Sequence, residues 1–189
     1  MVKIERMASA TKIVNTEPIN ITPAKRIFED PTQWSFKQSF MSDDMTIKDA
    51  SGKKAFKVES KKKIFTNKYC FMDLQTDRKI AYAKQRFGMP MSSLYEIFVD
   101  GTPFACIKKK DTMCKPKFAV KAVNDANSLS ISGNLLENWF VFRRGDVAVA
   151  EMRKSFGALT NRFTVDIQPG EDVIFILVCC VIIVICADA

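Results

Sequence analysis

Residues 173 to 187, VIFILVCCVIIVICA, form an unbroken run of fifteen apolar side chains. A helix that is apolar on every face must be enclosed, by lipid or by protein. At about 1.5 Å per residue the run reaches roughly 22 Å, whereas a bilayer core of about 30 Å takes about 20 apolar residues. The segment is short for a transmembrane helix. Two readings follow, a central helix walled in by protein and a C-terminal tail anchor, and the length favours the first. Pro169-Gly170-Glu171-Asp172 stands directly ahead of it, where acids can satisfy free amides and oppose the helix dipole, so the adjacent carboxylates read as a helix start and not as a catalytic pair.

The chain contains no histidine, which removes the usual general base of nucleophile triads and the imidazole metal ligands. Its seven glycines stand singly at turn-like positions, with no phosphate-cradling loop. Cys70, Cys106, Cys114, Cys179, Cys180 and Cys186 lack the paired short spacings of a zinc site or a secreted disulfide scaffold. The expectation is a non-enzymatic protein with reduced structural thiols, no cofactor and no metal. No signal-peptide pattern or lipidation box appears, and the expected location is cytoplasmic, with peripheral contact at membranes.

Ahead of the apolar run, the pattern is one of hairpins. Residues 95 to 108 read as a strand, an Asp100-Gly101 turn, and a second strand ending in lysine. Similar units span 46–58, 69–84 and 140–154. Their second strands carry Ala55, Ala81, Ala105 and Ala148, small side chains that would leave room for an enclosed helix. Alternation is clean at both ends: Trp34, Phe36 and Phe40 share one face, and Phe163, Val165 and Ile167 share another. About twelve strands are expected, near 34–40, 44–49, 54–59, 66–74, 78–86, 93–100, 102–110, 117–123, 128–132, 138–144, 146–155 and 162–168, as in a closed sheet. Residues 1–32, polar and interrupted by Pro18, Pro23 and Pro31, read as a flexible leader, and 33–189 as a single domain.

The ending Arg162-Phe163-Thr164-Val165-Asp166-Ile167-Gln168-Pro169-Gly170-Glu171-Asp172, followed by Val173-Ile174-Phe175-Ile176-Leu177, resembles the closing strand and central helix of the LURP-one-related proteins. Those are relatives of the tubby C-terminal domains and phospholipid scramblases. The hairpin from Tyr95 to Lys110 resembles the family's middle hairpins. The resemblance covers about Trp34 to Cys186. It implies a mainly β fold of the tubby C-terminal-like kind: a closed twelve-stranded antiparallel barrel around the hydrophobic C-terminal helix. The sequence departs from the scramblase pattern. Gly157-Ala158-Leu159-Thr160-Asn161-Arg162 stands where an acid-rich loop is expected and offers no carboxylate for calcium. The proline-rich leader and palmitoylated cysteine cluster of scramblases are missing, which weakens a scramblase-like lipid transporter.

Charge gives the positive clue. Residues 53–121 hold seventeen Lys or Arg against six Asp or Glu, a local balance of +11 within a chain of net charge +8. Lys61, Lys62, Lys63, Lys108, Lys109, Lys110, Lys115 and Lys117 lie at the ends of expected strands, where they can converge on one rim. Lysines near an anionic bilayer contribute on the order of 1 kcal/mol each, and tubby domains bind phosphoinositides through basic barrel residues. The candidate function is a lipid-binding module, expected as a monomer, that docks on phosphoinositide or another anionic membrane lipid. The alternatives are an adaptor that meets acidic or other protein surfaces, and lysines that only keep strand edges soluble. No recognition helix, zinc module or aromatic RNA-binding motif favours nucleic acid.

Overall fold

The computed structural model describes residues 26–38, 44–63, 66–86, 94–110, 116–134, 139–156 and 161–187, the side chains of Gln38, Lys62, Lys63, Asn134, Phe156 and Ala187 excepted. Twelve strands precede one helix: β1 (Thr32–Gln38), β2 (Met45–Asp49), β3 (Lys54–Lys63), β4 (Thr66–Asp73), β5 (Arg78–Arg86), β6 (Leu94–Val99), β7 (Thr102–Lys110), β8 (Lys117–Ala122), β9 (Leu129–Asn134), β10 (Trp139–Arg144), β11 (Val147–Phe156), β12 (Asn161–Ile167) and α1 (Val173–Ala187). Every strand pairs antiparallel with its sequence neighbours, and β12 returns to β1 to close the barrel. Closure leaves no open edge on which another chain could add a strand.

The expected alternation governs the core. Trp34 and Phe36 of β1 and Phe163, Val165 and Ile167 of β12 are all buried, and Phe36 stacks on Phe163 with ring centroids 5.0 Å apart. Phe40 lies outside the described residues. The helix fills the barrel: Val173 to Val184 are each no more than 3% exposed. Protein supplies the wall that the apolar run requires, and no helix among the described residues is long and apolar enough to cross a membrane.

The expected alanine pattern needs correction. Four hairpins carry a register shift on their second strand, leaving Ala55, Ile80, Phe104 and Val149 as the extra residues. Phe56, Ala81, Ala105 and Ala150 therefore occupy the equivalent paired positions. Ala148 is exposed, because the shift turns Val149 and Ala150 inward in its place. A bulge adds twist and bends its strand, and four of them at one level curve the wall. Helix α1 comes nearest to β5 and β12. On β5 the small Ala81 and Ala83 face inward, 1% and 0% exposed.

Strand alternation gives the barrel two different ends. Helix α1 enters where the tight turns cluster, among them Asp100-Gly101, whose φ values of 47° and 83° fit the left-handed turn that such a hairpin prefers. Asp172 caps the helix: its Oδ1 accepts the Phe175 N–H at 3.3 Å. Glu171 takes a different role: its Oε1 accepts from Arg144 Nη1 at 2.8 Å, and its Oε2 lies 2.8 Å from Arg144 Nη2 as an ion pair. Residues 26–31, read from sequence as flexible leader, are instead tied to this end. The Arg26 and Phe28 carbonyls accept the Val173 and Gly170 N–H groups at 3.0 Å. The Arg26 guanidinium pairs with buried Asp73.

Candidate functional site

Strands β3 and β7 both run toward the opposite rim, where α1 ends, and β8 starts there. Lys61, Lys62 and Lys63 close β3, Lys108, Lys109 and Lys110 close β7, and Lys117 opens β8. Both triplets thus share one end. Four interstrand steps out of twelve separate β3 from β7, roughly 19 Å along the wall at about 4.8 Å per step. Lys115 lies outside the described residues, as do the side chains of Lys62 and Lys63.

Alternation sorts the lysines further. On β7, Ala105 and Ile107 face the core, so Lys109 faces inward too, while Lys108 and Lys110 are exposed. The Lys109 ammonium donates to the Cys186 carbonyl at 3.1 Å, meeting the negative end of the helix dipole. It holds the helix, a role that the lysine triplet does not disclose. Lys110 faces exposed Lys117 directly across the strand pair.

Register adds residues that sequence reasoning missed. Lys61 sits opposite Lys68, Lys68 opposite Lys84, and Lys84 opposite Glu96. Three lysines therefore stand side by side on the outer wall of β3, β4 and β5, although like charges directly opposite are unfavourable by up to about 1 kcal/mol. Part of that repulsion is offset, since the Lys68 ammonium lies 3.9 Å from the centroid of the Tyr82 ring. Tyr82 stacks on Phe98 at 4.5 Å with an interplanar angle of 10°. Arg86 meets Glu96 at 3.5 Å, which places a mixed-charge strip between the two lysine groups. Lys68 and Lys84 stand alone in the sequence; counting back from the Asp73–Arg78 turn would set Lys68 opposite Ala83, and only the register shift at Ile80 brings Lys84 across from it.

The helix-entry end mixes acids with bases such as Lys53, Lys54 and Lys79. Asp49, Asp77, Asp100, Asp125 and Asp146 stand in or beside its turns, with Glu171 and Asp172 at the helix start. Acids at the positive end of α1 and lysines at the negative end both complement its dipole. Among the described residues, no group of three or more cysteine and carboxylate side chains comes together as metal ligands would.

A family model described as LURP-one-related matches residues 32–184, the whole barrel and most of its helix. The chain belongs to the LURP-one-related family. An X-ray structure of an Arabidopsis thaliana protein superposes with a TM-score of 0.61 at 18% identity, covering 82% of this chain and 91% of that one. That likeness is one of fold. No curated protein is similar enough to count as a match. As a LURP-one-related barrel, the chain carries its lysines on the rim where its core helix ends.

Proposed function

We propose that this barrel is a non-enzymatic module that docks on anionic membrane lipid, with phosphoinositides the preferred headgroups. The observation that carries the reading is the placement of Lys61, Lys68 and Lys84 and of Lys108, Lys110 and Lys117 at one end of the barrel, as two groups with β6 between them. Such a rim presents cations to a flat anionic surface in two groups whose facing strands, β5 and β7, are two steps or about 10 Å apart along the wall. Each lysine close to the surface adds on the order of 1 kcal/mol. The acidic turns at the other end would point away from the bilayer and orient the barrel upright. Exposed apolar side chains at that distal end, Val123 and Val147 at 77% and 66% exposure, favour a second reading, an adaptor that holds another protein there.

The test is co-sedimentation with phosphatidylcholine vesicles, with and without a phosphoinositide, across a salt series. Binding should require the anionic lipid and fall steeply as the Debye length drops from about 10 Å at 0.1 M toward about 3 Å at 1 M. Equal binding to neutral vesicles would remove the lipid reading and leave the adaptor.

A further inference from the structure

At the helix-entry end, the strap of residues 26–31 and the β2–β3 turn enclose an open cleft of about 410 Å³, within the range of about 300–1,000 Å³ typical of small-molecule sites. Its wall is aromatic. Trp34 packs between Phe28, at 6.5 Å, and Phe56, at 5.6 Å between ring centroids. Phe28 and Leu74 line the opening and are left 40% and 41% exposed, so an apolar body seated there would cover both. The charge at its lip is selective. Asp73 is occupied by Arg26 and by the Gln75 N–H at 2.9 Å. Asp49 Oδ1 accepts from the Ser51 hydroxyl at 2.6 Å and the Lys53 N–H at 3.0 Å. Lys53 and Lys54 also line the cleft, and neither forms an ion pair among the described residues.

We propose that this cleft binds a small aromatic acid, its flat ring system against Phe28 and Trp34 and its anionic group between Lys53 and Lys54. Aromatic surface calls for a planar apolar body. The Lys53 charge already acts on Asp49, so the two ammonium groups leave one positive charge over and call for one added negative charge. The cleft and the lysine rim lie at opposite ends of the barrel, so this site is independent of membrane docking.

The test uses the full chain and two probes that share an apolar body. One is 8-anilinonaphthalene-1-sulfonate; the other is its uncharged counterpart N-phenyl-1-naphthylamine. The sulfonate should saturate at one per chain with energy transfer from Trp34, and the neutral probe should bind at least tenfold more weakly. Leu74→Glu, and separately Lys53→Glu with Lys54→Glu, should each weaken sulfonate binding at least tenfold while the melting temperature and vesicle co-sedimentation stay as in the parent. Absence of saturable binding, equal affinity for the two probes, or affinity unchanged in both variants would overturn the proposal.

Discussion

The Lys109 ammonium donates to the Cys186 carbonyl at 3.1 Å, so one member of a lysine triplet caps the core helix while Lys108 and Lys110, its neighbours, stand exposed on the outer wall. A side chain in the middle of a basic run thus belongs to the fold. Replacing Lys109 by Met should cost about 1 kcal/mol through loss of the cap and its dipole contact, read from denaturant melts. Vesicle binding should change little. A larger loss of binding than that caused by Lys108→Met would place Lys109 among the docking lysines instead.

The Arg144–Glu171 pair, joined by one hydrogen bond and one ion-pair contact of 2.8 Å each, holds the loop that leads into the helix. Glu171 is only 8% exposed. Arg144→Ala would leave its carboxylate enclosed without a partner, and the expected cost is about 3 kcal/mol. Adding Glu171→Gln to the same protein should recover part of it, because a neutral amide is easier to enclose than a charge. Additive losses would show that the two side chains act separately.

Gly133 pairs with Phe140 across β9 and β10, and a Cβ on Gly133 would fall 2.3 Å from the Phe140 ring. The ring lies over the bare glycine backbone. Gly133→Val should destabilise the barrel by about 1–3 kcal/mol through overpacking. Phe140→Leu introduced alongside should restore part of the loss; failure to do so would mean that the backbone of β9, and not the ring, resists the larger side chain.

Helix, strand count and hairpin positions were legible because fifteen apolar residues admit few environments and because alternation with turn residues marks each strand. The bulges were not. One extra residue beside each turn leaves the hydrophobic pattern nearly intact while shifting partners, which is why Ala55 and Ala148 looked equivalent to Ala81 and Ala105. Strand β3 also continues to Lys63, past the end expected at residue 59, because lysine on the outer face is compatible with pairing. At the candidate site, the lysine runs were visible, but Lys68 and Lys84 join Lys61 only through register, and Lys109 departs only through alternation. The strap from Arg26 was hidden because its backbone carbonyls do the binding, and these are independent of side-chain type.

Cys179 and Cys180 are wholly enclosed in α1, and burial pushes both thiols up from their ordinary value of 9.0, with the charge of Asp172 adding to the first and Cys179 to the second. The folded chain keeps these protons at a pH where the unfolded chain releases them. Stability should therefore be unaffected by these groups below about pH 9 and should fall above it, by up to about 1.4 kcal/mol per pH unit for each thiol. Melts of the parent and of the Cys179→Ala, Cys180→Ala double variant at pH 8 and pH 10 measure this, and the variant should lose less stability between them. Equal losses would assign the alkaline sensitivity to other groups.

Position, as opposed to net charge, is the central claim about the basic rim. Two triple variants carry the same reversal of charge at opposite ends: Lys61→Glu, Lys108→Glu, Lys117→Glu at the far rim, and Lys53→Glu, Lys54→Glu, Lys79→Glu at the helix-entry end. Exposed charges contribute little to folding, so both proteins should melt close to the parent. Co-sedimentation with phosphoinositide-containing vesicles at about 0.1 M salt, where the Debye length is about 10 Å, should be lost in the first and retained in the second. Equal loss in both, or retention in both, would contradict docking through the rim.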